Sequence, residues 1–234
     1  MERKTQLLLM ILINCLLFIS CKKENNIGDP NDPNDTSHFD LQNPEGYLIY
    51  LKNANSDGTH HGSLLMEFKP GKKMWYYDIG KAPNPSIYSY EIIDDNTISI
   101  NNINFVFQEG KLISVGSTAY IAYSLLKKPS KNLLSRKSFQ GTYYQNNGNG
   151  YFPKYFYSYD LSENKVHAGV NPAAQGNTYN YVPLCGIAAY AQYNNSTYKE
   201  FMVLINGKLE TNMQYPDGAE IEIAYGTFTE FKLQ

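Results

Sequence analysis

Short runs of alternating apolar and polar residues make up most of the chain from residue 46 onwards. Between residues 87 and 93, Ser89 and Glu91 alternate with Tyr90 and Ile92, and this period of two is typical of a half-buried β-strand. The predicted strands lie at 47–52, 63–68, 73–79, 87–93, 97–100, 104–108, 112–115 and 118–126 in the first half, and at 141–144, 155–160, 165–168, 178–182, 187–193, 198–205, 208–215 and 220–229 in the second.

Residues that favour turns separate these runs. Pro70-Gly71 and Glu109-Gly110 each stand between two predicted strands, where such residues interrupt regular structure. Asn206-Gly207 stands between two further runs. Both central positions of a type I′ turn need positive φ, which Asn and Gly tolerate, so a β-hairpin is predicted there.

Composition supports the same fold class. The chain has 21 Tyr and 11 Phe, and only 18% of its residues are charged; aromatic side chains suit a pleated, half-buried surface. We therefore predict an all-β protein, an antiparallel barrel or sandwich. Residues 127–137 gather lysine, proline and serine, and the composition changes beyond them. The strands form either one domain or two β modules in tandem, at 46–127 and 138–234.

The amino-terminal segment is typical of a secretory signal. Two basic residues precede an apolar run at 7–19, and the small Ser20 precedes Cys21. The run has 13 residues, whereas a membrane span needs about 20. The segment resembles the lipobox of bacterial lipoproteins, in which the cysteine after the cut carries the acyl chains. This resemblance implies a signal peptide at 1–20 and a lipid on Cys21; a secretory signal without lipid is the alternative.

Residues 21–45 lack apolar periodicity, and the Asp-Pro-Asn sequence occurs twice there. Such a composition predicts a lipidated, disordered tether that holds the β modules away from the membrane. The charged residues 22–24 resemble signals that send Bacteroidota lipoproteins to the cell surface, while a periplasmic orientation fits as well. We therefore expect an outer membrane lipoprotein whose membrane contact is the lipid on Cys21.

Several chemistries are disfavoured. The formal net charge is −2, and a nucleic-acid-binding protein would show a strongly basic face.

Cys185 lies among apolar residues and is predicted to be a buried structural cysteine. The pair His60-His61 has no third ligand at a recognised spacing, and adjacent strand residues face opposite sides. We predict no metal, no cofactor and no catalytic residue.

Paired carboxylates offer the enzymatic alternative, a glycoside-active protein. The acidic residues in or beside predicted strands are Asp78, Glu91, Asp160, Glu220 and Glu222. Glycoside hydrolysis needs two carboxyl groups about 5 to 9.5 Å apart, a spacing that the sequence does not reveal. A structural component of the envelope is a further alternative.

Two segments resemble lipocalin-like lipoproteins of Bacteroidota. Phe139-Gln140-Gly141-Thr142-Tyr143 is similar to the Gly-x-Trp start of a lipocalin barrel, with Tyr143 in place of tryptophan. Residues 90–98 followed by 109–112 are similar to a later strand pair. The resemblance implies a small antiparallel barrel or barrel-like sandwich with an apolar interior able to hold a ligand.

Aromatic residues are the remaining candidates for a binding site. Tyrosine offers rigid contact area together with a hydroxyl group, although cross-strand aromatic packing would use the same residues. The leading hypothesis is a binding or interaction protein without catalysis, whose ligand is a glycan, a small apolar molecule or a partner protein. The residues predicted to contact the ligand are Trp75, Tyr77, Tyr143, Tyr155, Tyr157 and Tyr159.

Overall fold

A computed structural model describes residues 32–53, 62–146, 151–162, 164–169, 177–193 and 197–232. The predicted signal peptide, Cys21, the start of the predicted tether and the pair His60-His61 lie outside these ranges. The described chain is all-β, as predicted, and its strands form two antiparallel sheets. No helix among the described residues has the length and hydropathy needed to span a membrane.

The first sheet contains eight strands in the order β7-β6-β5-β4-β3-β2-β1-β8, and we call it the half-barrel. Its strands are β1 (Tyr47–Asn53), β2 (Gly62–Lys69), β3 (Lys73–Tyr77), β4 (Ser86–Asp94), β5 (Thr97–Ile100), β6 (Ile103–Gln108), β7 (Lys111–Val115) and β8 (Tyr120–Lys127). The edge strands β7 and β8 approach each other, and the Tyr123 hydroxyl donates a hydrogen bond to the Ile113 carbonyl oxygen at 2.9 Å. This side chain bridges the seam that backbone pairing leaves open.

The second sheet closes on itself in the order β10-β11-β12-β13-β14-β15-β16-β9, and we call it the barrel. Its strands are β9 (Lys137–Asn146), β10 (Tyr151–Ser162), β11 (Lys165–Gly169), β12 (Asn177–Leu184), β13 (Ala188–Gln192), β14 (Lys199–Ile205), β15 (Lys208–Asp217) and β16 (Glu220–Phe231). Every predicted strand overlaps one of the sixteen observed strands. The predicted hairpin is confirmed, since Asn206 and Gly207 have φ of 50° and 74° between β14 and β15.

Alternation along each strand fills the barrel with apolar side chains. Phe139 and Tyr143 of β9 and Phe228 of β16 are completely buried there, and the Tyr143 and Phe228 rings meet edge to face at 5.1 Å. An eight-stranded antiparallel barrel is the architecture that the lipocalin resemblance implies. Its interior holds a packed core at these positions.

The half-barrel encloses its own core, which the amino-terminal residues 32–45 complete at one end. We call this segment the strap. The Phe39 ring lies 5.1 Å from the Tyr47 ring and 4.9 Å from the Phe107 ring, measured between centroids. The prediction of a disordered tether over 21–45 is therefore wrong for the strap, because its apolar side chains find partners in the half-barrel.

The two modules share a third core between them. Buried apolar residues on the outer faces of both sheets meet there. The half-barrel contributes Leu48, Tyr50, Leu65 and Tyr77, and the barrel contributes Ile187, Ala188, Phe201 and Val203. The Asn212 side chain accepts a hydrogen bond from the Ser63 backbone N–H at 3.1 Å and donates one to the Ser63 carbonyl at 3.3 Å. Because apolar burial and directed polar contacts coincide, the modules are held in one relative orientation.

Candidate functional site

A cavity of about 180 Å³ opens at the end of the half-barrel opposite the strap. We call it the mouth. Its lining is mostly aromatic and aliphatic, which is the usual composition of a small-molecule site. The lining residues are Met66, Tyr76, Tyr88, Ile100, Asn101, Ile103, Phe105 and Tyr120.

Three tyrosines, together with Asn101, give the mouth its polar groups. The Tyr76 and Tyr88 rings are perpendicular, with centroids 6.0 Å apart. Burial raises the pKa of Tyr76, and the nearby negative charge of the Asp78 carboxylate adds to this effect. Burial and Tyr88 raise the pKa of Tyr120. The phenols of Tyr76 and Tyr120 are therefore neutral at physiological pH. A neutral phenol hydroxyl can donate one hydrogen bond and can also accept hydrogen bonds.

Strand alternation explains why Tyr76 reaches the mouth while its neighbours do not. Successive side chains of a strand point to opposite faces of the sheet. Met74 and Tyr76 of β3 pack with the core inside the half-barrel, whereas Trp75 and Tyr77 pack with the core between the modules. The sequence prediction named Trp75 and Tyr77 as ligand contacts but not Tyr76, which is the residue of the three that lines the mouth.

Trp75 and Tyr77 instead lie beside an ionic cluster at the junction of the modules. The Lys69 ammonium group is 4.1 Å from the centroid of the Trp75 ring, a distance suited to a cation–π contact. Tyr77 is buried, and burial together with the neighbouring Cys185 and Glu67 raises its pKa. Both side chains contribute to the contact between the modules.

Glu67 is the centre of this cluster and is almost completely buried. Its carboxylate lies 2.8 Å from Lys69 Nζ and 2.5 Å from Lys128 Nζ. Burial raises the pKa of Glu67, but the hydrogen bonds from Lys128 and Lys69 outweigh it, so the pKa lies below its ordinary value. The carboxylate is therefore charged, and the two ammonium groups compensate the cost of burying it.

Cys185 completes the cluster from the barrel side. Its thiol donates a hydrogen bond to Glu67 Oε2 at 3.3 Å. Burial, reinforced by the Glu67 charge, raises the pKa of Cys185. A thiol held in its neutral form is a poor nucleophile, so the geometry assigns Cys185 a structural contact.

Of the predicted second-half tyrosines, Tyr143 has a described side chain, and it does not meet Trp75 and Tyr77 in a common site. Tyr143 is fully buried inside the barrel. Tyr155, Tyr157 and Tyr159 belong to β10, where their backbone positions pair with Tyr143, Gly141 and Phe139 of β9. The side chains of these three tyrosines lie outside the described residues. That Tyr155, Tyr157 and Tyr159 contact a ligand therefore stays a prediction.

The acidic residues of the enzymatic alternative belong to both modules. Asp78 and Glu91 belong to the half-barrel, and Asp160, Glu220 and Glu222 belong to the barrel. Asp78 accepts hydrogen bonds from the backbone N–H groups of Gly80 and Lys81, both at 2.8 Å. Asp78, Glu91, Glu220 and Glu222 line neither the mouth nor two further cavities among the described residues. The described residues contain no group of three His, Cys, Asp or Glu side chains that could hold a metal ion.

Comparison with known proteins gives a distant structural likeness. No protein-family model matches the chain, and no curated protein matches it. The crystal structure of the isotype 1 transferrin binding protein B from serogroup B Neisseria meningitidis is similar over 79% of this chain and 57% of that one, with 12% sequence identity and a TM-score of 0.29. The chain thus spans little more than half of that protein, and a likeness at this level says nothing about function.

Proposed function

We propose that this protein is a lipid-anchored, extracytoplasmic binding protein without catalytic activity, and that its mouth holds a small ring-shaped ligand. The observation that carries the proposal is the mouth itself, where the buried side chains of Ile100 and Phe105 line one cavity with three tyrosines. A volume of about 180 Å³ suits one ring better than a drug-sized molecule, whose pockets are typically about 300 to 1,000 Å³.

The apolar and the polar lining residues of the mouth favour different parts of such a ligand. Phe105 and Ile100 are buried apolar side chains. Contact with them removes apolar ligand surface from water, which favours binding. Asn101 and the tyrosine hydroxyls offer donors and acceptors at the opening. The preferred ligand is therefore an uncharged ring with an apolar body and one or two hydroxyl groups at its edge.

Binding is tested with the chain from residue 22 onwards, which retains both modules. The probes are p-cresol, indole, cyclohexanol and methyl glucoside, each followed by ligand-observed NMR titration. We expect at least one ring compound to bind. Tyr120→Ala should weaken that binding about tenfold, because an aromatic contact is worth up to about 1.5 kcal/mol.

Ile103→Trp, which fills the mouth, should abolish binding. Val182→Ala changes an exposed side chain on β12 of the barrel and serves as the control. Absence of binding by every probe to the folded protein would contradict the proposal. So would a Tyr120→Ala variant that binds as well as the unchanged chain.

The anchor is tested separately in cells. Labelling with an alkyne-bearing palmitate should mark the full-length protein, and Cys21→Ser should remove both the label and the membrane association. Protease treatment of intact cells then distinguishes the two orientations, since only a surface-exposed protein is digested. Label on the Cys21→Ser variant would refute lipidation at this residue.

A further inference from the structure

A larger cavity lies on the outside of the barrel. It measures about 390 Å³ and is formed where β9, β15 and β16 meet the half-barrel. We call it the groove. Gln140, Thr142 and Tyr144 of β9 and Tyr225 and Thr227 of β16 present hydroxyl, amide and aromatic groups to it.

Backbone pairing arranges these side chains in rows. Tyr144 lies opposite Tyr225, and Thr142 lies opposite Thr227. The side chains at alternate positions from Gln140 to Tyr144 share one face and extend over about 13 Å. The groove is therefore an elongated surface, with half-buried aromatic rings at one end and hydroxyl groups along its length.

The charges at the groove neutralise each other. Lys52 of β1 and Glu210 of β15 are its charged lining residues, and their side chains form an ion pair at 2.9 Å. The Thr227 hydroxyl also lies 3.0 Å from a carboxylate oxygen of Glu210. Because the charges are paired, the groove offers no isolated cation to an anionic ligand, such as a phosphate or a uronic acid.

Two glycines fix the shape of the groove floor. A Cβ atom at Gly141 would lie 2.6 Å from the Thr227 carbonyl oxygen, and one at Gly226 would lie 2.4 Å from the Phe228 ring. A Cβ atom at Gly226 would also lie 3.0 Å from the Thr142 carbonyl oxygen of β9, so β9 and β16 pair closely beneath the groove and its floor is a preformed backbone ladder. A preformed surface loses little conformational entropy when a ligand binds.

We propose that the groove binds a neutral oligosaccharide segment. Sugar rings combine apolar C–H faces, which pack on tyrosine rings, with hydroxyl edges, which pair with threonine and glutamine side chains. The length of the groove accommodates more than one ring. This inference uses none of the residues of the mouth, so it does not depend on the proposed binding of a small ring compound there.

The test measures binding of the chain from residue 22 onwards to cellohexaose, xylohexaose, mannohexaose and chitohexaose by isothermal titration calorimetry, with hexagalacturonate as the acidic comparison. We expect a neutral oligosaccharide to bind in preference to hexagalacturonate. Thr229→Arg places a long side chain at the exposed edge of the groove, and Tyr144→Ala removes an aromatic surface. Each substitution should weaken binding at least tenfold.

Thr118→Arg is the matched control, because Thr118 is exposed in the half-barrel and does not line the groove. Tyr120→Ala should retain oligosaccharide binding, which separates the groove from the mouth. The inference is overturned if no neutral oligosaccharide binds, if only hexagalacturonate binds, or if Thr229→Arg and Tyr144→Ala bind as the unchanged chain does. Thermal unfolding of each variant verifies that it is folded.

Discussion

The half-barrel and the barrel have the same number of strands in the same sequential arrangement, yet only the barrel closes. In the barrel, Gly141 and Gly226 let β9 and β16 form a continuous backbone ladder. In the half-barrel, β7 and β8 are joined across their seam by the Tyr123 side chain. The first and last strands pair in both modules, since β1 also pairs with β8. The half-barrel stays open between its consecutive strands β7 and β8.

The two modules also differ in where their cavities lie. The barrel interior is filled by large buried residues, including Phe139 and Phe228, so its groove lies outside on the strand faces. The half-barrel is packed at the strap end and leaves the mouth at the other. Modules with similar topology thus present a polar outer surface in one case and an apolar recess in the other.

The largest effect is expected from Phe228→Ala. Phe228 is completely buried in the barrel core, and the substitution should lower the free energy of unfolding by about 3–5 kcal/mol. Phe105→Ala in the half-barrel should lower it less, because Phe105 borders the mouth and water can enter the space. Urea unfolding followed by circular dichroism measures both. Equal losses would contradict the contrast between a sealed and an open core.

Gly141→Val tests how the barrel closes. The added side chain meets backbone atoms of β16, which cannot move without breaking the ladder, so a loss of about 1–3 kcal/mol is expected. Gly80→Ala is the control, since the nearest atom at Gly80 is the Asp78 carboxylate oxygen at 3.3 Å. If both variants unfold at the same urea concentration, the prediction is wrong, and the close approach of β9 and β16 does not determine the stability of the barrel.

Glu67→Gln should weaken the contact between the modules and change its pH dependence. Because the pKa of Glu67 in the folded protein lies below its ordinary value of 4.5, its stabilisation is present above that value and is lost as the pH falls through the folded pKa. The substitution should lower the free energy of unfolding by about 1–2 kcal/mol at pH 7. It should also make the loss of stability at acidic pH less steep. The single tryptophan, Trp75, reports unfolding near the cluster by its fluorescence.

Lys137→Gln provides the comparison for this experiment. It breaks the exposed Lys137–Glu230 pair, which lies at 2.7 Å, and should change the free energy of unfolding by less than about 1 kcal/mol. If Glu67→Gln retains the same decline in acid as the unchanged chain, the buried carboxylate does not hold the modules together.

Tyr123→Phe has the smallest expected effect. It removes the hydroxyl group that bridges the seam, which should lower the free energy of unfolding by about 0.5–1 kcal/mol. Amide hydrogen exchange should become faster in β7 and β8, while exchange in β9 and β16 stays unchanged. Uniform exchange across both modules would show that the seam does not weaken the half-barrel.

Local sequence pattern was sufficient to predict the strands and the Asn206-Gly207 hairpin, because alternation and turn chemistry act over a few residues. It was insufficient for contacts between distant positions. Glu67 and Cys185 are 118 residues apart, and nothing near either residue in the sequence indicates the other. Phe39 was missed for the same reason, since its partners belong to the strands of the half-barrel.

The candidate site shows this limit most clearly. Alternation separates Tyr76 from Trp75 and Tyr77, but it does not say which face meets the mouth and which meets the barrel. That choice is made by the apolar residues of the barrel, such as Ile187 and Phe201, which cover one face of the half-barrel. The position of Lys69 over Trp75 likewise follows from the pairing of β2 with β3.

The strap leads directly into β1, and β1 is flanked by β2 on one side and β8 on the other. Tension applied to the amino end of the strap would therefore be transmitted along the axis of an interior strand. The backbone hydrogen bonds of an antiparallel ladder are perpendicular to the strands, so such a load shears all of them together instead of opening them one after another. A chain connected in this way resists extraction by its amino terminus far better than it resists peeling from an edge strand.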